Sequence, residues 1–382
     1  MNKKASALHE GDLVAIVAPS GAVHEEAMNR GIKVLEGLGL RVKVGKHAFD
    51  RWGYLAGNDG DRAADFAEAW MDPEVKAVIC ARGGYGAMRV LPYLDFESLK
   101  QHRKILVGYS DITALHLAFW REMRLVTFHG PMVESGEESG LNDPYNLASF
   151  KGALFGYAEE SEARSAGEPA DRPTAQLAGA SPVGSSATSP AEPSIESPVK
   201  QPSEPPTEPS AELSQELPMV LPDGHALTTV EEGRAEGVIV GGNLSLVAST
   251  IGSRWELDTH GKILFLEEVG EKPYRVDRML CQLALSGRLA AAAGYILGDF
   301  TDCEPSEGSP SFSVAEVFGQ YFAGTGKPCI AGMPAGHGRY KATIPFGTKV
   351  RISTGVASSS GPSRGSADRP SVCYLESPTR RS

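Results

Sequence analysis

The chain has 382 residues, is 41% hydrophobic, and carries 48 acidic against 37 basic side chains for a formal charge of −11. That length suits two domains with cores of their own, and an acidic balance without any Lys/Arg run argues against nucleic acid as a partner. The start, Met1 to Gly11, is polar, and no run of about 18 apolar residues appears, so a soluble, cytoplasmic protein with no membrane partner is expected.

The first part alternates strands and helices. Leu13 to Ala18 is a short apolar run that stops at the turn Pro19-Ser20-Gly21. Met28, Ile32 and Leu35 fall on one helical face, and Gly39 closes that segment. Arg41 to Val44 alternates like a half-buried strand. Arg62 to Met71 carries a helical stripe of Ala63, Phe66, Ala67 and Trp70. Lys76 to Cys80 reads as a strand leading into Ala81-Arg82-Gly83-Gly84-Tyr85-Gly86, Lys104 to Val107 as a strand, and Asp111 to Trp120 as a helix. Such alternation predicts a parallel sheet covered on both faces, with ligands gathering at the carboxyl ends of its strands.

The pattern stops near Gly156. Residues 158–220 are rich in Pro, Ser, Ala and Glu without periodicity, as in Gln201-Pro-Ser-Glu-Pro-Pro-Thr-Glu-Pro-Ser210, and read as a disordered linker insertion. A smaller tract of this kind spans 356–371. Between them Gly237 to Val240, Lys262 to Leu266 and Ala293 to Leu297 read as strands, and Val350 to Ser353 and Val372 to Leu375 as closing strands. Helices are predicted from Pro273 to the stop at Gly287, and over Val314 to Phe322. The expected organisation is an N-terminal α/β domain over 1–157, flavodoxin-like or glutamine-amidotransferase-like, and a β-rich mixed domain over 221–382.

The chemistry-bearing segment is Gly108-Tyr109-Ser110-Asp111. An apolar strand ends just before it and a helix begins just after, the arrangement that lifts a nucleophile above a sheet beside unpaired helix amides. Ile112 stands where a G-x-S-x-G elbow has its second glycine, and a helix N-cap explains the same serine. A serine nucleophile needs a base and the base an orienting acid. Of nine histidines, His337 is distinctive for its glycine-flanked loop Gly332-Met-Pro-Ala-Gly-His-Gly338. The acid candidate is Glu267, which alternation places on one strand face with Ile263 and Phe265. Arg82 and Asn243 stand in glycine loops after strands and are candidate substrate contacts, although neither loop matches a phosphate-binding pattern. The five scattered cysteines suggest neither a disulfide framework nor a zinc site, while Cys80 is weighed as an alternative nucleophile because it precedes a glycine loop.

In their joint order these motifs resemble the LD-carboxypeptidase family, which includes murein tetrapeptide carboxypeptidases and microcin-immunity-type peptidases. The resemblance rests on Val17-Ala-Pro-Ser20, Ala81 to Gly86, Gly108 to Asp111, Gly241-Gly-Asn243, Leu266-Glu267 with Tyr274 and Arg278, Gly298-Asp-Phe300 and Gly336-His-Gly338. It implies a triad of Ser110, His337 and Glu267 divided between two domains, with the backbone amides of Gly84 and Asp111 as oxyanion donors. It also implies a homodimer without metal or organic cofactor, acting on a small peptide. For the murein branch that peptide is a recycled muropeptide losing a terminal D-Ala, and for the microcin branch an aminoacyl-nucleotide amide. A nucleotide-binding or sensory module is the reading from outside the enzymes.

Overall fold

The computed structural model describes residues 2–136, 139–156, 216–355 and 369–380. The strands are β1 (Leu13–Val17), β2 (Arg41–Val44), β3 (Val75–Cys80), β4 (Ile105–Gly108), β5 (Thr127–His129), β6 (Leu217–Pro218) and β7 (Thr228–Glu231). They continue with β8 (Gly233–Asn243), β9 (Ile263–Val269), β10 (Gly294–Thr301), β11 (Cys329–Ala331), β12 (Ile344–Phe346), β13 (Lys349–Thr354) and β14 (Ser371–Tyr374). The fold is mixed α/β and built on two sheets.

The first sheet has the order β12-β5-β4-β3-β1-β2, parallel except for β12. β4 is Ile-Leu-Val-Gly and buried throughout, the composition of a strand covered on both faces. The helices Asp59–Met71 and Thr113–Met123 cover one face through Phe66, Trp70 and Phe119. Glu25–Gly37 and Pro144–Phe155 cover the other through Met28, Leu35, Phe150 and Leu154.

The second sheet has the order β6-β14-β13-β8-β9-β10-β11-β7. Its parallel core, β8 to β11, is flanked by antiparallel strands. Alternation along β9 sends Leu264 and Leu266 to one cluster, with Val276 and Leu280 of the helix Pro273–Leu285. Ile263 and Phe265 go to another, with Ile344 and Phe346.

The two sheets are joined more intimately than a two-domain reading of the sequence suggests. Ile344–Phe346, late in the chain, pairs antiparallel with β5 of the first sheet. Pro345 is tolerated there because an edge strand needs no donor on its outer side. Leu117 and Trp120, on the helix after Ser110, share a cluster with Val240 and Leu244. Most of the predicted linker at 158–220 and most of the tract at 356–371 lie outside the described residues. The last residues of that linker are ordered, contrary to expectation. Leu217 and Met219 pack against the second core, and Tyr145 donates to the Val220 carbonyl at 2.9 Å. Ser371 likewise already belongs to β14.

Candidate active site

β4 ends at Gly108, a short 3-10 turn covers Ser110–Ile112, and the helix Thr113–Met123 follows. Ser110 has φ +62°, a left-handed conformation costing an L-residue roughly 1–2 kcal/mol. An N-cap serine has extended backbone, and Tyr109 occupies that position instead. The N-cap explanation of Ser110 is thereby removed, and a strained strand-to-helix elbow stands in its place. The turn fits closely against the loop after β3. A Cβ added to Gly83 would lie 2.9 Å from the Ser110 Cβ, so only glycine permits that approach. Gly84 is exposed beside it.

Buried groups clamp the elbow from beneath. His116 donates from Nε2 to the Gly108 carbonyl at 2.8 Å, which leaves Nδ1 to accept from the Thr127 hydroxyl at 2.9 Å. Burial lowers its pKa to about 4, so it is a neutral imidazole in a fixed tautomer. The Asp111 carboxylate accepts from Ser20 Oγ at 2.6 Å and from the Ala87 amide at 2.7 Å. Burial raises its pKa, and those two bonds oppose the rise. Arg62, 1% exposed, donates to the carbonyls of Pro19 and Gly86 and pairs with Asp59. The loops after β1, β3 and β4 are thus tied together around the serine.

The second sheet brings two more groups. Glu267 stands in β9 and is fully buried. His337 donates from Nδ1 to Glu267 Oε2 at 2.7 Å, and its Nε2 accepts from Ser110 Oγ at 3.0 Å. Burial raises the Glu267 pKa while the His337 bond opposes that rise. Gly336, at φ +129°, lets the histidine loop lie on the acid: a Cβ there would fall 2.8 Å from Glu267 Oε2. The Asn243 amide donates to Thr113 Oγ1 at 3.0 Å, linking the second sheet to the helix after the serine.

The structure therefore brings Ser110, His337 and Glu267 into one hydrogen-bonded chain, the relay needed to remove a proton from a hydroxyl as it attacks a carbonyl. The Asn243 side chain is buried and engaged, donating to Glu268 at 3.0 Å and accepting from the Leu246 amide at 3.3 Å. Arg82 pairs with Glu134 at 3.3 Å and donates to the Ala22 carbonyl at 3.1 Å. Cys80 is fully buried, and burial pushes its thiol pKa well up, which removes it as a nucleophile. His47, Asp50 and Asp61 gather three possible metal ligands within 4.8 Å, but they bond to one another and to Asn58 rather than to the triad. The supporting roles of Ser20, Arg62 and His116 escaped the sequence reading, since each acts through contacts that only the fold creates.

Two family models match the chain, the LD-carboxypeptidase N-terminal domain over residues 14–130 and the LD-carboxypeptidase C-terminal domain over residues 236–352. The chain belongs to the LD-carboxypeptidase family. It is a serine-type peptide hydrolase with LD-carboxypeptidase function. It is 36% identical, over 93% of its length and 92% of the relative's, to a probable murein peptide carboxypeptidase of Bacillus subtilis (strain 168). Its fold is similar to that of muramoyltetrapeptide carboxypeptidase from Oxalobacter formigenes, at TM-score 0.67 and 27% identity, covering 96% of this chain and 100% of that one. It also superposes on the microcin C7 self-immunity protein MccF, at TM-score 0.73, 21% identity and 99% and 100% coverage. As an LD-carboxypeptidase the chain is no bare nucleotide-binding module. Among its described residues no helix is long and apolar enough to cross a membrane.

Proposed function

We propose that this LD-carboxypeptidase removes the terminal D-Ala from murein tetrapeptides, with Ser110 as nucleophile, His337 as general base and acid, and Glu267 as the acid that orients the histidine. The observation carrying this reading is the chain from Ser110 Oγ through His337 to Glu267, at 3.0 and 2.7 Å. His337 takes the serine proton as Ser110 attacks the carbonyl before the terminal residue. The carbonyl carbon becomes tetrahedral, and its oxyanion is held by the amides of Gly84 and Asp111. Collapse breaks the C–N bond, and His337 gives its proton to the leaving amine. Water then attacks the acyl-enzyme, passing a proton to His337, and Ser110 is restored.

Murein is preferred over an aminoacyl nucleotide as substrate because sequence identity is 36% to the murein peptide relative and 26% to MccF. A cytoplasmic site of action on recycled muropeptides and a homodimeric assembly belong to the same proposal. Mass spectrometry of a muropeptide mixture before and after incubation tests it: loss of one D-Ala is expected. Hydrolysis of an aminoacyl sulfamoyl nucleoside with tetrapeptides left intact would move the chain to the microcin branch. Light scattering of the purified protein decides the assembly.

A further inference from the structure

An exopeptidase must recognise a free carboxylate, and the geometry limits where its receptor stands. In the reading above, Ser110 has Gly83 on one side and His337 on the other. The substrate oxygen faces the Gly83–Gly84 loop, and the leaving nitrogen faces His337, which must protonate it. The carboxylate of the departing amino acid is borne on the carbon next to that nitrogen. A charged receptor for it therefore stands on the His337 side.

Arg82 fails this condition. It follows β3 on the Gly83 side, donates from Nε to the Gly83 carbonyl at 3.3 Å, and is already neutralised by Glu134. Lys341 meets it. It lies four residues after His337 on the same loop and is half-buried. Among the described residues its ammonium has partners in the Gly338 carbonyl and the face of Tyr109, 5.8 Å from the ring centroid, and no ion pair. Tyr109 directly precedes the nucleophile, and its ring packs edge-on against His337 with centroids 5.0 Å apart. The backbone of Lys341 is fixed as well, its amide donating to Asn146 Oδ1 at 2.5 Å. Burial lowers the pKa of the ammonium, while Asp299, Asp143 and Glu267 act through space to keep it charged. Asp299 is engaged by the Gly338 amide at 3.1 Å. A desolvated cation whose direct contacts are a carbonyl and an aromatic face, with its carboxylates acting only from a distance, gains from an incoming anion.

We infer that Lys341 receives the α-carboxylate of the departing D-amino acid and so makes the enzyme a carboxypeptidase rather than an endopeptidase. This rests on the catalytic reading above and names the specificity residue of that site.

The test compares two tetrapeptides, one ending in D-Ala and one in D-alaninamide, with full-length protein. Lys341→Met should lower kcat/KM for the acid about 30-fold or more, as expected for one partner of a buried charge pair. The amide should change by less than about threefold, so the acid-over-amide preference collapses. Lys341→Arg should keep most of that preference, and Arg82→Met should leave it unchanged. If Lys341→Met lowers both substrates equally, the lysine only braces the Gly338 loop and the inference is overturned. It is also overturned if the preference survives Lys341→Met or vanishes with Arg82→Met. Calorimetric titration of Ser110→Ala with the two peptides reads recognition without turnover. Tighter binding of the acid, lost in Ser110→Ala/Lys341→Met, supports the assignment even if the wild type proves inactive on both, in which case only the catalytic reading fails. Equal binding of acid and amide overturns the assignment.

Discussion

The two regions that build the site are held by different physics. Around Ser110 the constraint is conformational: a left-handed non-glycine residue, loops at van der Waals contact, and buried polar bonds from His116, Asp111 and Arg62 that keep the turn bent. Around Glu267 and His337 it is electrostatic. A fully buried carboxylate in the middle of a sheet accepts one charge-supporting bond from an imidazole, and a glycine with no side chain lets that imidazole approach. The proposed nucleophile is thus positioned by strain, and its proposed base by the field of an acid. Damage to the groups that hold the first region bent should cost stability and activity together. Damage to the second should cost activity first.

The largest effect expected is that of Ser110→Ala. Removing the nucleophile of a coupled triad costs on the order of 10⁶ in kcat, while circular dichroism and the fold should be unchanged. Retention of wild-type turnover by purified Ser110→Ala would sink the mechanism. Glu267→Gln preserves volume but presents an amide to His337 Nδ1, so the imidazole no longer has a strong reason to keep its working tautomer. A loss of roughly 10⁴ in kcat is expected, with unfolding by urea little altered. A Glu267→Gln enzyme within tenfold of wild type would show that the electrostatic half of the comparison is wrong.

Gly336→Ala attacks the approach of the two groups instead of the groups themselves. The added Cβ would fall 3.0 Å from the Glu267 Cβ, at a backbone φ of +129° that alanine rarely adopts. The loop must shift, and a displacement of about 1 Å costs on the order of 10² in rate. A cost of roughly 1–3 kcal/mol in stability should accompany it. If kcat falls while KM is steady, the histidine has moved; unchanged kinetics would mean that the loop bends without consequence.

Much of this architecture was legible in the sequence, for a physical reason. Apolar runs and helical stripes report burial directly, so the strand at Arg41–Val44 and the helix at Val314–Phe322 emerge with the bounds expected of them. Alternation also placed Glu267 on the same strand face as Phe265. What stayed hidden depends on contacts between distant residues. Ser20 meets Asp111 across 91 positions, and nothing in Val-Ala-Pro-Ser announces that bond. Ile344-Pro-Phe346 is too short to show a period of two, so its place beside β5 was illegible. The strain at Ser110 was hidden as well, because a left-handed serine and an N-cap serine look identical in one dimension.

Acid should affect the first region through His116. Its folded pKa of about 4 lies below the ordinary value of 6.5, so between these the unfolded chain binds a proton that the native state refuses. The stability gained from neutral His116 is fully present above pH 6.5 and drains away as pH falls toward 4, by about 1.4 kcal/mol per pH unit. His129, also fully buried and lowered, acts in the same direction. Carboxyls with raised values, such as Asp111, act in the opposite one. The contrast with His116→Gln isolates the effect: the variant should lose stability less steeply over that range. Parallel curves for the two proteins would show that His116 takes up its proton in the fold.

The smallest effect bears most directly on the comparison, because it separates strain from chemistry at one atom. Ser110→Ala and Ser110→Gly both abolish the hydroxyl and its bond to His337, so neither turns over substrate. They differ in what they do with φ +62°. Alanine keeps a Cβ in the disfavoured region, whereas glycine adopts it freely and gives back part of that advantage through the greater freedom of its unfolded chain. Ser110→Gly should therefore be the more stable of the two by about 1 kcal/mol, seen as a higher urea midpoint at an unchanged slope. Equal midpoints would mean that the elbow relaxes once the hydroxyl is gone. The bond to His337, and not the packing of Gly83 and the clamp of His116, would then be what holds the serine in its left-handed state.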